Sequence, residues 1–115
     1  MVDKTTPTEH IEQVTYINWF KLQYPKHRLF SVPNAGKRSY NLANHAKAEG
    51  LSSGVPDLMI PHLFLFIEMK RTKGGRVSKE QKEWIEYLNT IGYLAVVCNG
   101  FEEAKNVTVN RTKTI

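Results

Sequence analysis

The segment that most restricts the fold is Leu63-Phe-Leu-Phe-Ile-Glu-Met-Lys70, which is apolar at odd and even positions alike until Glu68. A strand sends alternate side chains to opposite faces. A run that is apolar on both faces is therefore covered on both and belongs in the interior of a sheet. Asp57-Leu-Met-Ile60, on the other side of Pro61-His62, is a second short apolar arm, and the two read as a hairpin with its turn at Pro61-His62.

Other elements follow around this pair. Thr8 is positioned to cap a helix in which Ile11, Val14, Ile17, Phe20 and Leu22 recur at helical spacing, ending at Tyr24 before Pro25. Residues 28–32 read as a strand stopped by Pro33-Asn-Ala-Gly36, and residues 39–49 as a helix stopped by Gly50. Ser78-Lys-Glu-Gln81 has the form of a capping box, and Trp84, Tyr87, Leu88 and Ile91 give the helix behind it an apolar face that stops at Gly92. Residues 93–98 predict a buried strand and 101–105 a short helix, while the Thr- and Asn-rich 106–115 suit a last strand or a tail. The order predicts an α/β fold, a mixed sheet flanked by helices. Residues 1–7 are expected to be a disordered N-terminal segment, 8–110 the domain and 111–115 a tail.

A chain of 115 residues has room for one domain with one modest core. It has no apolar run of about 18 residues, so no membrane-spanning helix is expected. The polar N-terminus does not read as a signal peptide, which predicts a cytoplasmic protein. Cys98, the single cysteine, has no internal disulfide partner. Six of the sixteen basic residues and one of the eleven acids fall between Lys70 and Lys82, which places the whole formal charge of +5 in that stretch. Such a run is either a solvated loop or a surface that faces phosphates.

Glu68 and Lys70 project to one face of the long strand, while Ile67 and Met69 project to the other. With a tight turn centred on Pro61-His62, Asp57 would stand opposite Phe66 and be the diagonal neighbour of Glu68, close enough for both carboxylates to grip one ion. A slip of one residue would turn Asp57 to the wrong face. Neighbouring carboxylates repel unless they share a proton or bind a hard divalent cation. The bland alternative is a surface salt bridge among Asp57, Glu68 and Lys70. His10, His27, His45 and His62 are scattered and lack zinc-ligand spacing. There is no phosphate-binding Gly-x-x-x-x-Gly-Lys loop and no nucleophile elbow.

Several pieces, taken in order, are more specific. Glu9-His-Ile-Glu-Gln13 with Trp19, then Pro33-Asn-Ala-Gly-Lys-Arg-Ser39, then Gly50-Leu-Ser-Ser-Gly-Val-Pro-Asp57, then Glu68-Met-Lys70 and Ser78-x-x-Gln81-x-x-Trp84 together resemble the VRR-NUC family of the PD-(D/E)xK nuclease superfamily. Ala35 stands where glycine is frequent in that family. The resemblance spans most of the chain and implies a restriction-endonuclease-like core and a phosphodiesterase dependent on Mg2+ or Mn2+. In that reading Asp57, Glu68 and the backbone carbonyl of Met69 hold the metal, and Lys70 positions or activates the attacking water. A glutamate of the first helix completes the site; Glu9 matches best, counted one turn back from Gln13, and Glu12 is the alternative.

Gln81 has two readings, as the capping-box glutamine of Ser78 or as a group that bonds the scissile phosphate or a metal-bound water. Trp19 and Trp84 read as core. Asn34, Lys37, Arg38 and Ser39, and the basic run Arg71, Lys73, Arg76 and Lys79, are candidates to hold a DNA backbone. Short members of the family resemble Holliday-junction resolvases, which implies branched DNA as substrate and a homodimer with two symmetric sites. A general nicking or flap nuclease, or a catalytically silent DNA-binding module, are the alternatives.

Overall fold

The computed structural model describes residues 6–33, 44–45 and 47–115. Helix α1 (Glu9–Gln23) leads to strand β1 (Phe30–Ser31). The chain continues through β2 (Leu58–Ile60), a 3-10 turn (Pro61–Leu63), β3 (Leu65–Lys70), α2 (Lys79–Thr90), β4 (Leu94–Asn99) and α3 (Phe101–Thr114). The strands lie in the order β1-β2-β3-β4, antiparallel except for the parallel pair β3–β4 that α2 connects. The expected mixed sheet is present, with β3 in its interior.

Leu65, Ile67 and Met69 are fully buried and meet Tyr16 and Phe20 of α1 and Ala104 of α3 in one core. The opposite pleat of β3 carries Phe66, Glu68 and Lys70. Gln81 of α2 reaches Glu68 on that side. The sheet thus separates a packed apolar layer from the face that carries the polar groups.

The hairpin register departs from the expectation by two residues. Leu58 stands opposite Ile67 and Met59 opposite Phe66, because the turn is a 3-10 turn closed by Phe64 in the left-handed region (φ 50°) rather than a tight turn at Pro61-His62. A shift of two preserves the faces, so Asp57 stays on the side of Glu68 and comes directly across from it.

Two helices also differ. In α1 the buried residues are Glu12, Tyr16 and Phe20, whereas Ile11, Val14 and Leu22 are exposed. The aromatic row fills the space over the sheet, and the Tyr16 hydroxyl is satisfied by Thr108 Oγ1 at 2.7 Å. Residues 106–114 form neither strand nor tail; they extend α3, whose Thr108 is fully buried and bonds back to Ala104 O at 2.8 Å. Arg111, placed by expectation in a tail, lies in α3 and donates through Nε to Leu63 O at 2.8 Å.

The strand expected at 28–32 is confined to Phe30–Ser31. Of the helix expected at 39–49, residues 44, 45, 47 and 48 are helical, Glu49 is already in a turn, and 39–43 and 46 lie outside the described residues. Trp19 packs against the core as expected, but Trp84 is half-buried, set edge-on to the exposed Tyr87 with ring centroids 5.8 Å apart, and Leu88 is the apolar residue of that helix face that is buried.

Among the described residues β4 is one of the two edge strands of the sheet, β1 being the other. Leu94 N–H donates to Phe64 O and Gly100 N–H to Lys70 O, so even-numbered residues of β4 face β3 and odd-numbered ones face outward. Asn89 of α2 covers the outward backbone of Ala95 with both ends of its amide, Nδ2 to Ala95 O at 2.9 Å and Ala95 N–H to Oδ1 at 3.0 Å. Glu103 Oε1 accepts from Asn99 N–H at 2.9 Å.

Candidate active site

The polar groups gather at one end of the sheet, where β2 begins and β3 ends. Asp57 is nearly buried and precedes β2. Its Oδ2 accepts the Met69 N–H at 2.9 Å, while its own carbonyl accepts from Val32 N–H at 2.8 Å. The side chain thus extends the β2–β3 ladder by one bond, and its orientation is set by the strands. Met69 places its side chain in the core and its N–H on Asp57.

Glu68 is 1% exposed. Its Oε2 accepts from Gln81 Nε2 at 3.0 Å and faces Lys70 Nζ at 3.4 Å, whereas Oε1 is buried with no hydrogen-bond partner among the described residues. Glu9, Asp57 and Glu68 each offer a carboxylate oxygen, all within 4.8 Å of one another. Burial first, then the charge of Asp57, pushes the Glu68 carboxyl up to about 8, against the opposing pull of Lys70. Three converging acids, one with an orphaned oxygen, are a costly arrangement for a protein alone. All-oxygen donors of this kind suit a hard divalent cation such as Mg2+ or Mn2+.

Gln81 satisfies the cap and the cluster together. Its Oε1 accepts from Ser78 N–H at 2.9 Å and its N–H donates to Ser78 Oγ at 3.1 Å, which is the full capping box. The remaining amide donor then points at Glu68. The capping-box reading is present, and the other end of the same amide is engaged by Glu68.

Glu9 and Glu12 part in the structure. Glu9 reaches the cluster; Glu12, 7% exposed, turns the other way and accepts the Phe101 N–H through Oε1 at 3.2 Å. Arg71 is partly buried and donates from Nη2 to Thr6 O at 3.1 Å. Lys73, Arg76, Lys79 and Lys82 are exposed around the same end. Asn34, Lys37, Arg38 and Ser39 lie outside the described residues.

Two glycines at this site mark close approaches of the backbone. A Cβ on Gly54 (φ +90°) would stand 2.5–2.7 Å from atoms of Glu80, so the loop before Asp57 rests directly on the first turn of α2. A Cβ on Gly75 would meet Lys70 Cβ at 3.0 Å, so the basic loop folds back over the lysine stem.

A family model described as the VRR-NUC domain matches residues 2–102 of the chain. A solved structure of a VRR_NUC domain protein is 30% identical, with a TM-score of 0.79, covering 95% of this chain and 91% of that one. No curated protein matches the chain.

Proposed function

The chain belongs to the VRR-NUC domain family, a nuclease domain of the PD-(D/E)xK fold, and from that premise we propose that it is an endodeoxyribonuclease dependent on Mg2+ or Mn2+ and selective for branched DNA. The observation that carries the metal and the chemistry is the convergence of Glu9, Asp57 and Glu68 beside Lys70, with Glu68 Oε1 left unpartnered among the described residues.

Glu9, Asp57, Glu68 and the Met69 carbonyl are the groups that would hold the cation. When bound, it supplies Lewis acidity to the phosphate and acidifies water. Asp57 is oriented by Met69 N–H, and Glu68 by Gln81 and Lys70. The Lys70 ammonium sits on the Glu68 side of the cluster, where it orients the water that attacks phosphorus and stabilises the charge that grows on the phosphoryl oxygens. The new P–O bond forms opposite the leaving oxygen, and that oxygen departs as the old bond breaks. Arg71, Lys73, Arg76 and Lys79 hold the DNA backbone, with Asn34, Lys37, Arg38 and Ser39 as further contacts.

A homodimer is part of the proposal, in the manner of Holliday-junction resolvases. Phe64, Tyr87 and Ile91, each at least half exposed, support it as apolar surface available to a second copy. Action on DNA in the cytoplasm belongs to the same proposal; among the described residues no helix is long and apolar enough to cross a membrane.

The test compares wild type with Asp57→Ala on labelled four-way junction, flap, splayed-arm and duplex DNA with Mg2+ or Mn2+. Cleavage of the junction by wild type alone is expected. Equal cutting of plain duplex would replace structure selectivity with a general nicking or flap activity. Junction binding with no cutting by either protein would make the chain a silent binding module.

A further inference from the structure

Glu9 is carried by the first turn of α1, and that turn is held on both sides. Three residues before Glu9, Thr6 O accepts from Arg71 Nη2 at 3.1 Å. Three residues after it, the nearly buried Glu12 accepts the Phe101 N–H at 3.2 Å. Phe101 opens α3, and its N-cap, Gly100, has no side chain with which to satisfy the free N–H groups of that helix. The cap is therefore supplied by another helix, through an acceptor oxygen of Glu12.

The same point anchors the catalytic strand. Gly100 N–H donates to Lys70 O at 2.8 Å. A Cβ on Gly100 (φ +95°) would stand 2.5 Å from Thr72 Cγ2 and 2.8 Å from Glu12 Oε2. The exit of β3, the start of α3 and the carboxylate of Glu12 thus meet around one glycine, directly behind Glu68 and Lys70.

We propose that Glu12 is a positioning residue: by capping α3 it locks α1 to the end of β3 and so fixes the separation between the Glu9 and Glu68 carboxylates. The proposal rests on the metal-dependent nuclease reading with Glu9 as a ligand. It assigns Glu12 no contact with metal or DNA. What matters at residue 12 is then a hydrogen-bond acceptor at glutamate length, not a negative charge.

The test measures Mn2+ dissociation constants of the full chain by the paramagnetic resonance of free Mn2+, with folding followed by circular dichroism. Glu12→Gln keeps the acceptor and its reach and is expected to bind within about twofold of wild type. Glu12→Asp keeps the charge but falls one methylene short, and Gly100→Ala drives a methyl into the space of the carboxylate. Each is expected to weaken binding about tenfold, the size of effect typical of groups that orient metal ligands. In a Glu9→Gln background Glu12→Asp should cost nothing further. Either of the two weakening variants decides if the other does not fold. A larger loss for Gln than for Asp, unchanged affinity in both weakening variants, or the same Glu12→Asp penalty with and without Glu9 would overturn the proposal. A wild-type protein that binds no Mn2+ would overturn the metal site itself.

Discussion

Gly54 and Gly50 form a pair that separates backbone strain from contact. Both have positive φ, +90° and +105°, but a Cβ at Gly50 meets nothing within 4 Å among the described residues, whereas one at Gly54 would overlap the Glu80 backbone carbonyl carbon and oxygen and its Cβ at 2.5–2.7 Å. An L side chain in the left-handed region costs about 1–2 kcal/mol, offset by about 0.4–1 kcal/mol from a stiffer unfolded chain. Both terms are common to the two alanine variants. Gly54→Ala alone adds overpacking against backbone that has no flexible end to yield, about 1–3 kcal/mol.

The difference between the two variants is therefore expected at about 1–3 kcal/mol by urea denaturation, a separation in Tm of roughly 4–12 °C for a chain of this size. The function should part further. Relief of the overlap moves the loop that ends in Asp57 away from the helix turn that carries Gln81, so Gly54→Ala should lose Mn2+ affinity and cleavage while Gly50→Ala keeps both. Equal stabilities, or equal metal affinities, would refute the contact between the loop and α2 on which the reasoning stands.

The raised carboxyl of Glu68, about 8 against an ordinary 4.5, makes the metal-free protein lose stability as pH rises from about 4.5 to about 8, because the folded state holds a proton that the unfolded chain releases. Denaturation midpoints across that range check this, and Glu68→Gln should flatten the profile. Metal competes with the same proton, so Mn2+ affinity should rise by up to about tenfold per pH unit until about pH 8; titrations at pH 6 and 7 measure it. Tyr16→Phe removes a buried hydroxyl from Thr108, which keeps its bond to Ala104 O, and is expected to cost about 1–2 kcal/mol in urea with cleavage unchanged. Neutralising Lys73 and Arg76 should weaken DNA binding and flatten its salt dependence by about 0.9 in slope for each lost phosphate contact; an unchanged slope from electrophoretic shifts at several salt concentrations would return the loop to a solvated surface.

The site was largely legible because its parts obey short-range rules. Pleat alternation places Glu68 and Lys70 together, and the parity of the hairpin keeps Asp57 on their side even though the turn proved two residues longer. What escaped depends on other segments. The aromatic row of α1 outcompetes Ile11, Val14 and Leu22 for the core because α3 offers Thr108 to the Tyr16 hydroxyl, a pairing between residues 92 apart in the chain. The β-branched run of α3 is poor helix material by propensity, yet burial of Ala104 and Thr108 against α1 and the sheet keeps it helical. Spacing from Gln13 favoured Glu9 over Glu12, but the use made of Glu12 depends on the Gly100-Phe101 step, 88 residues and more further on.

Asn89 has a consequence at the scale of many molecules. In the vocabulary of polymer growth, an open strand edge is a reactive chain end, and any extended segment that docks there by backbone pairing recreates the same end for the next. The amide of Asn89 terminates that reaction by occupying the Ala95 N–H and C=O with a peptide-like group that has no further valence. A concentrated solution of this chain is thereby steered away from ladder-wise propagation along β4. Along this stretch of the edge, contacts between copies are left to side chains rather than to a backbone ladder.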